Sequence, residues 1–79
     1  MKVVYFTNKF EIVQTHRNYV VRRKANHGGT YEQHSHFKKF DHAKSFLGLI
    51  NKGLLPRSQY WIEAARRILT EEEFNNLKK

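Results

Sequence analysis

The side chains best equipped for chemistry crowd into positions 16–42, which hold all five histidines of the chain: His16, His27, His34, His36 and His42. His34 and His36 flank Ser35, and Glu32, Asp41 and His42 stand close by in sequence. Three neutral imidazoles could in principle bind zinc or another transition metal. A structural zinc site normally takes four ligands, often thiolates, and the chain has no cysteine. No carboxylate stands at a spacing that completes the set, so no metal site is expected. A serine triad needs a base held by a carboxylate and an oxyanion hole. If this segment is a strand, Ser35 points away from the face that carries His34 and His36. Neither catalysis nor a cofactor is therefore expected. Gly28-Gly29 lacks both the dinucleotide fingerprint and the Gly-Lys-Ser/Thr ending of a phosphate loop. It reads as a turn.

Charge gives the more informative chemistry. Fifteen Lys plus Arg against seven Asp plus Glu leave a formal net charge of +8. Residues 1–24 carry Lys2, Lys9, Arg17, Arg22, Arg23 and Lys24 against Glu11 alone. A localised excess of this kind attracts polyanions. With strand alternation, Val20, Arg22 and Lys24 share one face, as do His34, His36 and Lys38. Tyr19, Val21, Arg23, Tyr31, Ser35 and Phe37 share the other, so most aromatics point to a core and not to a stacking surface. The expected contact surface for nucleic acid is Arg22, Lys24, His34, His36 and Lys38, with Arg17, Lys39 and Lys44 at its margin. Each phosphate contact would release counterions and weaken with salt. Protonation of the five histidines would add to the formal +8, so polyanion binding should strengthen on acidification. The alternative partner is a protein with an acidic surface, for which Phe6, Tyr60 or Trp61 would serve as aromatic anchors. A second basic set, Arg57, Arg66 and Arg67, is interrupted by Glu63 and reads as a solvated helix face, not as a recognition helix.

These residues must be placed by two kinds of element. Before residue 40 the pattern suits strands: Val3–Thr7, Phe10–Gln14, Tyr19–Lys24 and Thr30–Phe37. Asn8-Lys9, His16-Arg17-Asn18 and Asn26–Gly29 supply turns between them. After residue 40 the period is helical. Asp41 is a candidate N-cap, followed by the stripe Ala43, Phe46, Leu47, Ile50. Gly53 and Leu54 fit a C-terminal cap, and Pro56 prevents continuation. Ser58 opens a second helix with the stripe Trp61, Ala64, Ala65, Ile68, Leu69, and Glu63 is spaced to pair with Arg66 and Arg67. Thr70-Glu71-Glu72-Glu73 is a capping box for a short last helix to about Leu77, with Leu69 and Phe74 as its staple.

The expected fold is α+β, a three- to four-stranded antiparallel meander with two or three C-terminal helices on one face. At 79 residues it is a single small domain, with residues 1–38 as sheet and 41–77 as helices. No apolar run approaches the roughly 18 residues of a membrane span, and the N-terminal residues do not form a signal peptide. A cytoplasmic, non-membrane protein is the simplest expectation. The runs F-K-K-F-D-H-A-K, L-I-N-K-G-L-L-P-R-S-Q-Y and A-A-R-R-I-L-T-E-E-E-F resemble small proteins of Gram-positive bacterial phages and other mobile elements. The resemblance covers about residues 31–77. It implies a bacterial cytoplasm and a mobile-element origin, and it assigns no functional residue.

Overall fold

The computed structural model describes residues 1–30 and 32–79. These form an antiparallel sheet followed by helices, in the order β1 (Lys2–Phe6), β2 (Phe10–Gln14), β3 (Tyr19–Arg23), a 3₁₀ turn (Ala25–His27), β4 (His34–Phe37), α1 (Phe40–Asn51), α2 (Gln59–Ile68) and α3 (Glu71–Asn75). The four strands lie side by side in chain order. The α+β meander read from the sequence is the observed fold.

Short turns set the first two hairpins. Thr7 N donates to Phe10 O at 2.8 Å around Asn8-Lys9, and Thr15 N donates to Asn18 O at 2.9 Å around His16-Arg17. The Thr15 hydroxyl also accepts from the Asn18 and Arg17 amides at 3.0 and 3.1 Å. A threonine satisfies such turn amides locally, which fixes the register between β2 and β3.

Register gives each sheet face its own rows. Tyr5, Ile12, Val21 and Ser35 are cross-strand neighbours on the helix side. Val3, Val13, Val20 and His36 form a row on the opposite side, as do Phe6, Glu11, Arg22 and His34. A bulge between Val3 and Tyr5 breaks strict alternation in β1, and both Val4 and Tyr5 pack against the core.

The core forms where α1 and α2 lie on the helix side. Ile12, Val21, Phe46, Leu47, Ala65 and Ile68 are fully buried there, and Phe10, Phe37 and Ala64 nearly so. Burying side chains of this size contributes about 1.5–3 kcal/mol each. Ser35 is buried among them, and its hydroxyl donates to Ala64 O at 3.3 Å.

The helix stripes fall as the sequence predicts, with Ala43, Phe46, Leu47 and Ile50 buried on α1 and Ala64, Ala65 and Ile68 on α2. Gly53 takes φ +73°, a left-handed conformation that suits glycine. Gly53 N donates to Ile50 O, and Leu54 N to Leu49 O, each at 3.0 Å. That pair of bonds is a Schellman motif. At α3 the reciprocal capping box is present: Glu73 N donates to Thr70 Oγ1 at 3.2 Å and Thr70 N to Glu73 Oε1 at 2.9 Å. The chain then returns along the α1–α2 link, where Lys78 N donates to Gly53 O and Leu55 N to Lys78 O.

Five expectations are corrected. The fourth strand begins at His34 and not at Thr30, because the Thr30 and Gln33 backbones bond to each other or to the Gln33 side chain instead of to β3. Gly28-Gly29 accordingly belongs to a ten-residue connection from Lys24 to Gln33 and is not a tight hairpin turn. Gly28 has φ +84°, and a Cβ on Gly29 would lie 2.2 Å from Arg23 O, so that connection folds hard against the end of β3. Tyr31, expected to point towards the helices, lies outside the described residues. The N-cap of α1 is Lys39, without a side-chain cap, and not Asp41. Phe40 packs its ring on Tyr5 and Tyr19 at 6.2 and 5.8 Å, which draws it into the first helical turn and moves Asp41 inside the helix. Finally, among the described residues Glu63 forms no ion pair with Arg66 or Arg67. It accepts from Gln59 Nε2 at 3.2 Å, and the Arg66 guanidinium sits 4.4 Å from the centre of the Phe74 ring. The last helix also ends at Asn75, short of Leu77.

Candidate functional site

The strand half contains two adjacent pairs of cations, Arg22-Arg23 and Lys38-Lys39, and the fold treats them differently. Alternation along β3 turns Arg22 to the face away from the helices and Arg23 to the helix side. Arg22 Nε donates to Glu11 Oε2 at 2.7 Å, directly across the β2–β3 ladder. Arg23 reaches the last helix: Nη1 and Nη2 donate to the two Glu73 carboxylate oxygens at 2.7 and 2.8 Å. Arg23 Nε also donates to His27 O, and Nη1 to Ile68 O. Only 9% of the Arg23 side chain is exposed. The hydrogen bonds from Arg23 hold the Glu73 carboxyl well below the usual carboxylate range, against its partial burial, with help from the Thr70 amide and Lys9. Pairing with Glu73 raises Arg23 in turn. A bidentate, charge-assisted pair of this kind is among the stronger polar contacts available to a small domain.

Lys38 and Lys39 meet no such partner. They lie between Phe37, buried in the core, and Phe40, packed on Tyr5 and Tyr19. Two anchored rings in F-K-K-F leave the lysines exposed at the corner where β4 passes into α1. Among the described residues neither lysine lies within ion-pair distance of a carboxylate.

Beside these lysines is a hollow of about 430 Å³ lined by Asn18, His36, Lys38, Lys39, His42, Tyr60 and Trp61, with Phe37 beneath. Each wall is held by the fold. The Asn18 amide Nδ2 donates to His36 Nδ1 at 3.1 Å, and Asn18 Oδ1 accepts from Thr15 Oγ1 at 2.9 Å. The Tyr60 hydroxyl donates to His36 O, which ties the first turn of α2 to the free edge of β4. Its ring stands edge-on to Phe37, with centroids 5.8 Å apart. Trp61 is edge-on to both Phe37 and Phe46 at 5.9 Å, and its ring centre is 6.3 Å from that of His42.

The sheet face turned from the helices has another character. Its middle is the valine row, with Val13 buried, Val20 half-buried and Val3 exposed. Phe6 is 68% exposed, and Lys24 Nζ sits 4.8 Å from the centre of its ring. His34 and His36 pack edge to face at 5.1 Å. A concavity of about 420 Å³ here is lined by Met1, Val13, Val20, Arg22, His34 and His36. This face is therefore more apolar than strand alternation alone implies, and Glu11 offsets its arginine.

The expected contact residues thus divide among three places. His36, Lys38 and Lys39 meet at the corner, and exposed Arg17 precedes Asn18 in the chain. Arg22, Lys24 and His34 lie on the outward sheet face. Lys44 stands on α1 with Nζ 5.4 Å from the centre of the Tyr5 ring, on the helix side of the sheet. Sequence reasoning sets His42 close to His34 and His36 but does not place Asn18, Tyr60 and Trp61 with this cluster. A signal for Tyr60 is present, since it lies off the α2 stripe and has no core role.

Among the described residues, no three His, Cys, Asp or Glu side chains are placed to hold a metal ion. Ser35 and the histidine pair lie on opposite faces of β4. No described helix is long and apolar enough to cross a membrane.

These features define a small α+β domain with a one-sided sheet and an aromatic, basic corner. No protein-family model, curated protein or solved structure matches the chain.

Proposed function

We propose that this protein is a non-enzymatic nucleic-acid-binding module that grips phosphates at the β4–α1 corner. The observation that carries this reading is the pair Lys38 and Lys39, adjacent, exposed and without an acidic partner among the described residues. His36 and His42 line the same hollow, and Arg17 is exposed one position before Asn18, which also lines it. Arg22, Lys24 and His34 on the outward sheet face and Lys44 on α1 lie away from the corner and add to the positive field only at longer range. The resemblance of residues 31–77 to phage and mobile-element proteins fits such a role in a bacterial cytoplasm.

A mobility-shift titration with DNA and RNA over a salt series tests this. Binding should be clear at about 50 mM salt and fall steeply by about 200 mM, as counterion release requires. Absence of any complex at low salt would overturn the proposal.

A second reading has its own observation. Met1, Val3 and Phe6 are 95%, 46% and 68% exposed, which leaves apolar groups bare at the outward edge of the sheet. Such a surface suits a protein partner with an acidic rim, one that this small domain would modulate. A partner captured equally well after nuclease treatment would favour it.

A further inference from the structure

We propose that the corner hollow receives an unpaired base stacked on Tyr60 beside Trp61, so that the module prefers single-stranded nucleic acid to duplex. This rests on the nucleic-acid reading above and specifies its ligand.

The first support is a ring left in the open. Tyr60 is 54% exposed in the first turn of α2, outside the core stripe, yet it is not free to move. Its hydroxyl is spent on His36 O and its edge is set against Phe37. An exposed aromatic already fixed in place loses little side-chain freedom when a ligand covers it. The second support is the wall behind it. Trp61 is half-buried and locked edge-on between Phe37 and Phe46. The hollow of about 430 Å³ lies within the range of roughly 300–1,000 Å³ typical of small-ligand sites. The third support is the order of charges. Lys38 and Lys39 are exposed while Phe37 and Trp61, which line the same hollow, are buried and half-buried, an order that suits a nucleotide with its base inward and its phosphates outward. In a duplex both faces of each base are already covered by neighbours, whereas a single strand can splay one into an aromatic hollow.

Trp61 is the only tryptophan in the chain and lines the hollow, so it reports on its own site. The test compares oligo(dT), oligo(U), an oligo(dA)·oligo(dT) duplex and inorganic polyphosphate by fluorescence and affinity. The two single strands also separate DNA from RNA as the source of the base. The expected result is quenching of Trp61 by at least one single strand and about tenfold tighter binding of that strand than of the duplex. Polyphosphate should bind without quenching. Tyr60→Ala should weaken single-strand binding about tenfold, the effect of losing one stacked base, and leave polyphosphate affinity unchanged. Tyr60→Phe should keep most of the single-strand affinity. Equal binding of strand and duplex, or single-strand binding that neither quenches Trp61 nor responds to Tyr60→Ala, would overturn the inference and leave the phosphate-binding reading standing. Failure of all four polyanions to bind at low salt would overturn both.

Discussion

Arg22-Arg23 and Lys38-Lys39 look alike as dibasic steps in one short stretch of sequence. In the folded chain, Glu11 and Glu73 take up the two arginines, while the two lysines face water at a corner held open by Phe37 and Phe40. The first pair holds strands and the last helix together. The second has no acidic partner among the described residues. Position in the strand pattern separates exposed from buried, but the presence of an acid across the fold separates a structural cation from one available to a ligand.

The largest effect should come from breaking the buried half of the arginine pair. Arg23→Ala leaves Glu73 without its two charge-assisted bonds and should cost about 2–3 kcal/mol of stability, read as a lower denaturation midpoint. Polyanion affinity of the folded variant should change little. The same contact sets an acid limb. The folded-state carboxyl of Glu73 is depressed from its ordinary value near 4.5, so the unfolded chain takes up the proton first as pH falls. The contribution is whole above about pH 5 and is lost progressively below it. Glu73→Gln should flatten that part of the stability profile, and an unchanged profile would mean the clasp is not what acid dissolves.

A smaller effect in free energy, but the larger one on binding, is expected at the lysines. Lys38→Gln with Lys39→Gln should weaken nucleic-acid binding about tenfold near 100 mM salt and lower the salt slope by about two. Stability should stay within about 0.5 kcal/mol of the parent. Arg22→Gln, which removes a cation already matched by Glu11, should be the mildest. Affinity should drop less than about threefold, and stability by about 1 kcal/mol, near the upper end for exposed pairs because this one is partly buried. If Arg22→Gln lowers the salt slope as much per charge as the lysine changes do, the contrast between the two dibasic steps collapses.

How much was legible in the sequence depends on the range of the interactions involved. The stripes on α1 and α2, the Gly53-Leu54 cap and the Thr70–Glu73 box rest on residues three to five apart and were legible. The sheet faces were legible too, because alternation needs only neighbours in the chain. Contacts across the fold were not. Nothing local marks Glu73 as the partner of Arg23, Glu11 as the partner of Arg22, or His36 O as the acceptor for Tyr60. The start of α1 departs from expectation for the same reason. Asp41 is the better capping residue by type, but the packing of Phe40 on β1 and β3 outweighs that preference. The late start of β4 follows from the hydrogen bonds between Thr30 and Gln33, in a connection where Gly29 lies against Arg23 O, a close approach that no propensity encodes. The site was least legible, since Asn18, the stretch from His36 to His42, and Tyr60 with Trp61 come from three separate segments.

The clasp between Arg23 and Glu73 joins residues 50 positions apart, whereas each strand of the meander pairs with its chain neighbour. Closing so long a loop is entropically slow to repay, so the expected order is that the hairpins and helices assemble before this contact forms. A contact absent from the transition state governs escape from the native state and not arrival there. In a stopped-flow chevron, Glu73→Gln should quicken the unfolding limb and leave the refolding limb nearly in place. Glu73 is then a latch on the lifetime of the fold, fastened after the rest is built.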